Sequence, residues 1–430
     1  MLDLEIIPER SLGCDSWEFV LGMHFSQSVA IIQSQVGTIR GVQVLYSDQN
    51  PLSVDLVINM PQDGMRLIFD PVAQRLKIIE IYNMKLVKLR YSGMCFNSPE
   101  ITPSIEQVEH CFGATHPGLY DSQRHLFALN FRGLSFYFPV DSKFEPGYAH
   151  GLGSLQFPNG GSPVVSRTTI YYGSQHQLSS NTSSRVSGVP LPDLPLSCYR
   201  QQLHLRRCDV LRNTTSTMGL RLHMFTEGTS RALEPSQVAL VRVVRFGDSC
   251  QGVARALGAP ARLYYKADDK MRIHRPTARR RPPPASDYLF NYFTLGLDVL
   301  FDARTNQVKK FVLHTNYPGH YNFNMYHRCE FELTVQPDKS EAHSLVESGG
   351  GVAVTAYSKW EVVSRALRVC ERPVVLNRAS STNTTNPFGS TFCYGYQDII
   401  FEVMSNNYIA SITLYQPDNA RPHYAVGSIA

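Results

Sequence analysis

Ile68-Phe69-Asp70-Pro71-Val72-Ala73-Gln74-Arg75-Leu76-Lys77-Ile78-Ile79-Glu80-Ile81 recurs without gaps as Leu300-Phe301-Asp302-Ala303-Arg304-Thr305-Asn306-Gln307-Val308-Lys309-Lys310-Phe311-Val312-Leu313. Phe, Asp and Lys coincide, and the apolar positions fall in the same places. Each copy reads as a strand, a short polar turn and a second strand, which is a hairpin. Self-similarity at such a distance marks a repeated architecture.

The likeness extends upstream. Leu21-Gly22-Met23 precedes a helical stretch from Ser26 to Gln35, and Phe246-Gly247-Asp248 precedes another from Ser249 to Leu257, stopped by Gly258-Ala259-Pro260. Strands follow at Val42–Tyr46 and Val54–Met60 in the first copy, and at Arg262–Tyr265 and Tyr288–Leu295 in the later one. Two weaker copies open at Thr102-Pro103-Ser104 and at Ser358. The fold class expected is therefore α+β: tandem helix-plus-antiparallel-β-meander units with an inserted small β domain.

Units are expected over 1–98, 99–160, 244–337 and 357–417, with an Arg-rich β insert over 161–243, a flexible linker over 338–356 and a tail over 418–430. Within the insert, the Ser/Gly/Pro-rich stretch 173–195 reads as a mobile loop. The basic, proline-rich stretch 275–284 reads as an exposed extended loop of the third unit.

The chain has 430 residues, 43% hydrophobic and 18% charged, enough for several cores and too apolar for a disordered protein. No run reaches the roughly 18 apolar residues that span a bilayer. The N-terminus Met1-Leu2-Asp3-Leu4-Glu5 lacks a basic region and an apolar signal core, so a soluble intracellular chain is expected. The nine cysteines include no C-x-x-C pair and read as small core residues. Residues 163–243 hold nine arginines, no lysine and four carboxylates, an excess equal to the whole chain's +5.

Several segments closely resemble the phagosome assembly factor family. They include Pro8-Glu9-Arg10-Ser11-Leu12-Gly13, Phe112-Gly113-Ala114-Thr115-His116-Pro117-Gly118, Asn130-Phe131-Arg132-Gly133-Leu134-Ser135-Phe136 and Phe290-Asn291-Tyr292-Phe293-Thr294-Leu295-Gly296. Further matches are Val308 to Phe331 and Asn386-Pro387-Phe388-Gly389-Ser390-Thr391-Phe392-Cys393. The resemblance covers most of the chain and weakens across 140–245 and 332–356. It implies a non-enzymatic role in autophagy, acting with a WD40 β-propeller scaffold protein. It also implies a cytoplasmic protein recruited to the phagophore assembly site (preautophagosomal structure), in a complex that meets phosphoinositide membranes through the propeller partner. The helix-plus-meander unit is similar to β-lactamase-inhibitor-like repeats, a likeness of fold only.

No G-x-S-x-G elbow, P-loop, H-E-x-x-H or dinucleotide fingerprint is present, so neither catalysis nor a cofactor is expected. His314, His320, His327 and Cys329 cluster, but their spacing matches no compact zinc site. Asn316, Tyr317, Pro318, Gly319, His320 and Tyr321 combine a Pro-Gly turn with aromatics and are the first candidate partner interface. The alternative is that the aromatics fold inward and staple the loop. Asn386, Pro387, Phe388 and Gly389 form a second candidate. Arg275, Arg279, Arg280 and Arg281 are candidates for contact with an acidic membrane, the basis of an alternative reading as a direct phosphoinositide-binding module. No nucleic-acid recognition module is recognisable. Trp17-Glu18-Phe19-Val20 and Trp360-Glu361-Val362-Val363 fit an aromatic-x-x-aliphatic ligand pattern, but an indole inside an ordered element belongs to the core.

Overall fold

The repeated turns at Asp70 and Asp302 are built alike. Asp70 Oδ1 accepts from the amides of Val72 and Ala73, at 3.0 and 2.7 Å, and Asp302 Oδ1 accepts from Arg304 and Thr305, at 3.0 and 3.1 Å. A short carboxylate holds its own turn amides, which is why Asp opens both turns. Gln74 and Asn306 follow in left-handed backbone, each with φ 54°. Both turns also carry a helix: the first amide of one, at Phe25, donates to the Gln74 carbonyl at 2.9 Å, and Cys250 donates to that of Asn306 at 3.0 Å.

The computed structural model describes residues 1–113, 118–121, 123–140, 147–148, 155–156, 163–173, 190–199, 202–213, 215–228, 236–266, 286–337, 351–369, 371–377 and 388–416. The chain is mixed α+β, mostly antiparallel, and divides into two units, Met1–Cys198 and Tyr199–Ala430. No helix among the described residues is long and apolar enough to cross a membrane.

The first unit runs β1 (Leu2–Ile7), β2 (Ser11–Cys14), β3 (Trp17–Val20), α1 (Phe25–Ser34), β4 (Gln43–Leu45), β5 (Leu56–Met60), β6 (Met65–Phe69) and β7 (Leu76–Ile81). It continues with β8 (Val87–Tyr91), β9 (Met94–Asn97), α2 (Ile105–Phe112), β10 (Leu119–Asp121), β11 (Leu126–Phe131) and β12 (Leu134–Pro139). A small hairpin of β13 (Gly147–Tyr148) and β14 (Leu155–Gln156) precedes β15 (Arg167–Tyr171). Two larger sheets result: a five-stranded one ordered β3-β2-β1-β8-β9, with β1 and β8 parallel, and an eight-stranded one ordered β10-β11-β12-β15-β7-β6-β5-β4.

The second unit repeats this plan. Its elements are β16 (His204–Arg212), β17 (Thr217–Gly228), β18 (Ser236–Arg245), α3 (Cys250–Leu257), β19 (Arg262–Tyr265), β20 (Tyr288–Tyr292), β21 (Leu297–Phe301) and β22 (Val308–His314). Then come β23 (Phe331–Val335), β24 (Val352–Thr355), α4 (Trp360–Leu367), β25 (Val374–Leu376), β26 (Thr391–Tyr396), β27 (Ile399–Val403) and β28 (Ile409–Tyr415). The sheets are ordered β18-β17-β16-β23-β24, with β16 and β23 parallel, and β19-β20-β21-β22-β28-β27-β26-β25. Strand for strand, this is the topology of the first unit.

One row of side chains shows how each large sheet is held. Ile58, Leu67, Ile79, Ile170 and Leu134 stand side by side across β5, β6, β7, β15 and β12, all buried. The matching row in the second unit is Phe290, Val299, Phe311, Leu414 and Ile399. Each fully buried member contributes roughly 1.5–3 kcal/mol. Val253 and Leu257 of α3 and Trp360, Val363 and Leu367 of α4 join the same core. The Trp360 ring lies 4.6 Å from Tyr394 and 5.0 Å from Phe401. Trp17 is likewise buried, so neither tryptophan is presented as a short ligand motif.

The span 161–243, expected as a separate β insert, is instead divided between the units. Its strand β15 lies between β12 and β7 in the first large sheet, while β16, β17 and β18 open the second unit as the counterparts of β1, β2 and β3. Alternation identifies a strand but not its partner. Part of the expected linker, 352–355, is strand β24. Most of 173–195, all of 275–284 and the tail 418–430 lie outside the described residues.

Candidate functional site

The two units differ where β22 leaves the second large sheet. In the first unit the step from β7 to β8 takes only residues 82–86, including a 3-10 turn at Met84–Leu86; in the second, residues 315–330 intervene. This longer segment covers the polar face of β20, β21 and β22. Asn59, Arg66 and Tyr82 of the first unit correspond by register to Asn291, Asp298 and His314. The first set is only partly buried; the second is buried.

The covered groups satisfy one another. Asp298 accepts from Asn291 Nδ2 at 2.7 Å, from His314 Nε2 at 2.9 Å and from the Tyr326 hydroxyl at 2.8 Å. Tyr326 stacks on His314 with ring centres 3.9 Å apart. With the His314 proton on Nε2, its Nδ1 accepts, and Asn322 Nδ2 approaches it at 3.5 Å. Asn322 Oδ1 in turn accepts from His320 Nδ1. His320 Nε2 lies 3.5 Å from Glu402 Oε1, and Glu402 also accepts from Thr391 and Ser411, each at 2.8 Å. A continuous polar chain thus runs from one buried carboxylate through two imidazoles to another. Burial and the neighbouring Asp298 carboxylate push the Tyr326 phenol well above its ordinary range.

The rest of the segment is anchored by Arg328. Its Nε donates to the Thr315 carbonyl at 2.8 Å, and its guanidinium lies 5.0 Å from the Tyr317 ring and 5.2 Å from that of Tyr357. The Tyr317 hydroxyl donates to the Ala356 carbonyl at 3.0 Å. Burial raises the Tyr317 phenol and the Glu330 carboxyl; Glu330 accepts from the Tyr357 hydroxyl at 2.6 Å.

These contacts correct the first candidate interface. Asn316, Tyr317, Pro318 and His320 are buried and Gly319 half-buried, which leaves Tyr321 as the exposed residue of the six. The aromatics fold inward because each polar tip finds a partner there. In the second candidate, Phe388 is exposed and Gly389 beside it also lies at the surface, while Asn386 and Pro387 lie outside the described residues, as do Arg275, Arg279, Arg280 and Arg281. The His/Cys cluster is dispersed: His327 packs near His204, with ring centres 5.6 Å apart, and Cys329 is buried with Cys208 in the core of the second unit. No group of three or more possible metal ligands occurs among the described residues. Three of the described arginines of 163–243 are held in ion pairs: Arg167 pairs with Glu80, Arg207 with Asp209 and Glu332, and Arg212 with Asp398 in the interior.

Asp298 and Glu402 escaped the reading of the sequence. Their signal was present, since each is a lone carboxylate in an apolar strand, in Leu297-Asp298-Val299-Leu300-Phe301 and Ile399-Ile400-Phe401-Glu402-Val403. A buried charge in such a place requires partners.

Comparison with known proteins adds the family. The model of phagosome assembly factor 1 matches residues 15–415. The chain belongs to the phagosome assembly factor 1 family. It is 63% identical to PHAF1 protein CG7083 of Drosophila melanogaster over 423 residues, covering 96% of this chain and 94% of that protein. PHAF1 protein At3g51130 of Arabidopsis thaliana is 37% identical, covering 93% of this chain and 90% of its own length. PHAF1 protein T01G9.2 of Caenorhabditis elegans is 34% identical, covering 96% and 93%. No solved structure matches the chain.

Proposed function

We propose that the protein is a non-enzymatic autophagy adaptor. It acts with a WD40 β-propeller scaffold protein at the phagophore assembly site during autophagosome formation, as a cytoplasmic chain recruited there. Its paired meanders are read as β-lactamase-inhibitor-like repeats. The observation that carries this reading, in a member of a family named for phagosome assembly, is the apolar surface along the outer strands of both large sheets. Val44 and Leu45 of β4, Leu263, Tyr264 and Tyr265 of β19, and Val374 and Val375 of β25 all stand exposed. Outer strands of this kind are places where another chain adds a strand or packs a face.

The test is recovery of the tagged full chain from starved cells. A WD40 β-propeller protein in near-equal amount is expected, and its absence overturns the reading. The phosphoinositide contact is assigned to the partner, so phosphoinositide vesicles should sediment the chain only when the propeller is present. Sedimentation of the chain alone, lost in R279E/R280E/R281E, moves that contact onto this chain.

A further inference from the structure

The outer strands β4 and β19 occupy the same place in the two units, and their differences are informative. By register, Tyr46 corresponds to Tyr265, and both rings are exposed. In β19, Leu263 and Tyr265 extend the core face past Phe290 and Tyr288, whose rings continue inward to Phe301 at 4.7 and 5.3 Å. Tyr265 is 62% exposed although its ring centre lies 5.9 Å from that of Tyr288. Among the described residues β19 is the last strand of its sheet, so the apolar face runs out to an exposed edge.

The charges differ. Gln43 and Ser47 around β4 are replaced by Arg262 and Lys266 around β19. Lys309 has both carboxylates nearby, Asp287 at 3.1 Å and Asp302 at 3.6 Å, just as Lys77 has Asp55 at 2.7 Å in the first unit. Among the described residues, Arg262 and Lys266 have no ion-pair partner. Two exposed cations without an ion-pair partner among the described residues, on an outer apolar strand, fit an anionic, extended occupant.

We propose that the edge of β19 is a docking strand for an extended acidic peptide of a partner protein, with Leu263 and Tyr265 meeting its apolar side chains and Arg262 and Lys266 its carboxylates. This rests on the adaptor reading, but the two fail separately. Loss of the propeller from the wild-type recovery removes the adaptor, whereas the experiment below addresses the edge alone.

The probe is a fluorescent peptide of about ten residues alternating Glu with Val and Tyr, titrated into the full chain at low and high salt. Binding that weakens with salt is expected. The same peptide with Lys in place of Glu should bind at least about tenfold more weakly. R262E/K266E, both at exposed positions, should weaken the Glu peptide by about tenfold or more while the thermal midpoint stays unchanged. Q43E/S47E on β4 should leave binding as it was, and amide exchange should slow at 262–266 when the peptide is bound. Equal affinity for the Glu and Lys peptides, undiminished binding by R262E/K266E, or protection at 43–47 instead overturns the proposal. So does self-association lost in R262E/K266E, which assigns the edge to a second copy. Phosphatidylserine vesicles that bind through these residues while the peptide does not would assign it to a membrane, with the same consequence.

Discussion

His314 donates to Asp298 at 2.9 Å beneath the ring of Tyr326, at positions that Tyr82 and Arg66 occupy in the first unit. There, Arg66 reaches Glu80 at the partly exposed sheet face, and the Tyr82 hydroxyl donates to Asn59 at 3.1 Å. Both units thus keep polar groups on this face. Only in the second does the 315–330 connection remove them from water. Groups so covered must bond to one another, because each buried polar group left without a partner costs about 1–3 kcal/mol. The chain of bonds from Asp298 to Glu402 follows from the length of that connection.

Asp298 holds three donors at once, from Asn291, His314 and Tyr326. Asp298→Ala leaves all three buried without their acceptor. Stability of the second unit should fall by about 3–5 kcal/mol, read as a shift in its urea midpoint. A loss below about 1 kcal/mol would show that the covering segment contributes little.

Among the described residues, Arg212 and Asp398 form the most buried ion pair, at 2.6 Å with side chains 4% and 2% exposed. The guanidinium also donates to Thr217 Oγ1 at 2.7 Å and Gln397 Oε1 at 2.8 Å, joining the end of β16 to the β26–β27 turn. Asp398→Ala strands a buried cation and should cost about 3–5 kcal/mol. Arg212→Met combined with Asp398→Leu should recover most of that loss, since desolvating two charges offsets much of their attraction. A double variant as unstable as Asp398→Ala, by denaturant titration, would contradict this account.

What the sequence disclosed follows the range of each interaction. The hairpins at Asp70 and Asp302 were legible because turn, register and core pattern lie within fourteen residues of one another, and the two copies share even the irregularity after Ile68 and Leu300. Ser104 and Ser249 were legible as helix starts because each side chain caps its own helix, accepting from Gln107 at 3.2 Å and Gly252 at 3.1 Å. Ser358, expected to cap the last helix, does not: its hydroxyl instead accepts from the Thr355 amide at 3.0 Å, and Lys359 occupies the cap. The parallel pairing of Leu2 with Val87 was also hidden, since alternation in β1 says which side chains are buried and nothing about a neighbour so distant in sequence. For Tyr317 and His320, a loop has no period by which to tell inward from outward.

Gly296 links the covering segment to the sheet beneath it. Its backbone is left-handed, at φ 63°, and a Cβ there would stand 2.5 Å from the His327 carbonyl oxygen and 2.7 Å from the Cys329 amide nitrogen. Both obstacles are backbone and cannot rotate aside. Gly296→Ala should therefore destabilise by more than the roughly 1 kcal/mol of conformational strain alone. The 315–330 segment should become more open to proteolysis. A loss no larger than that strain would refute the steric argument.

His327 gives the second unit a dependence on pH with a definite sign. Burial, with His204 near it, pushes the imidazole down to about 3 from its ordinary value of 6.5. Below about pH 6.5 the unfolded chain takes up a proton that the folded chain refuses, so stability is full above that value and falls as the solution is acidified towards pH 3. The slope from this residue is at most about 1.4 kcal/mol per pH unit. His204, also lowered by burial, acts in the same direction. Glu330, its carboxyl raised by burial, also titrates on acidification, but alike in the wild type and in His327→Phe, which keeps a ring in the site and has no proton to gain. Between about pH 7 and pH 5 the urea midpoint of the wild type should therefore fall faster than that of the variant. Parallel midpoints for the two proteins across that range would mean that His327 is protonated in the folded chain.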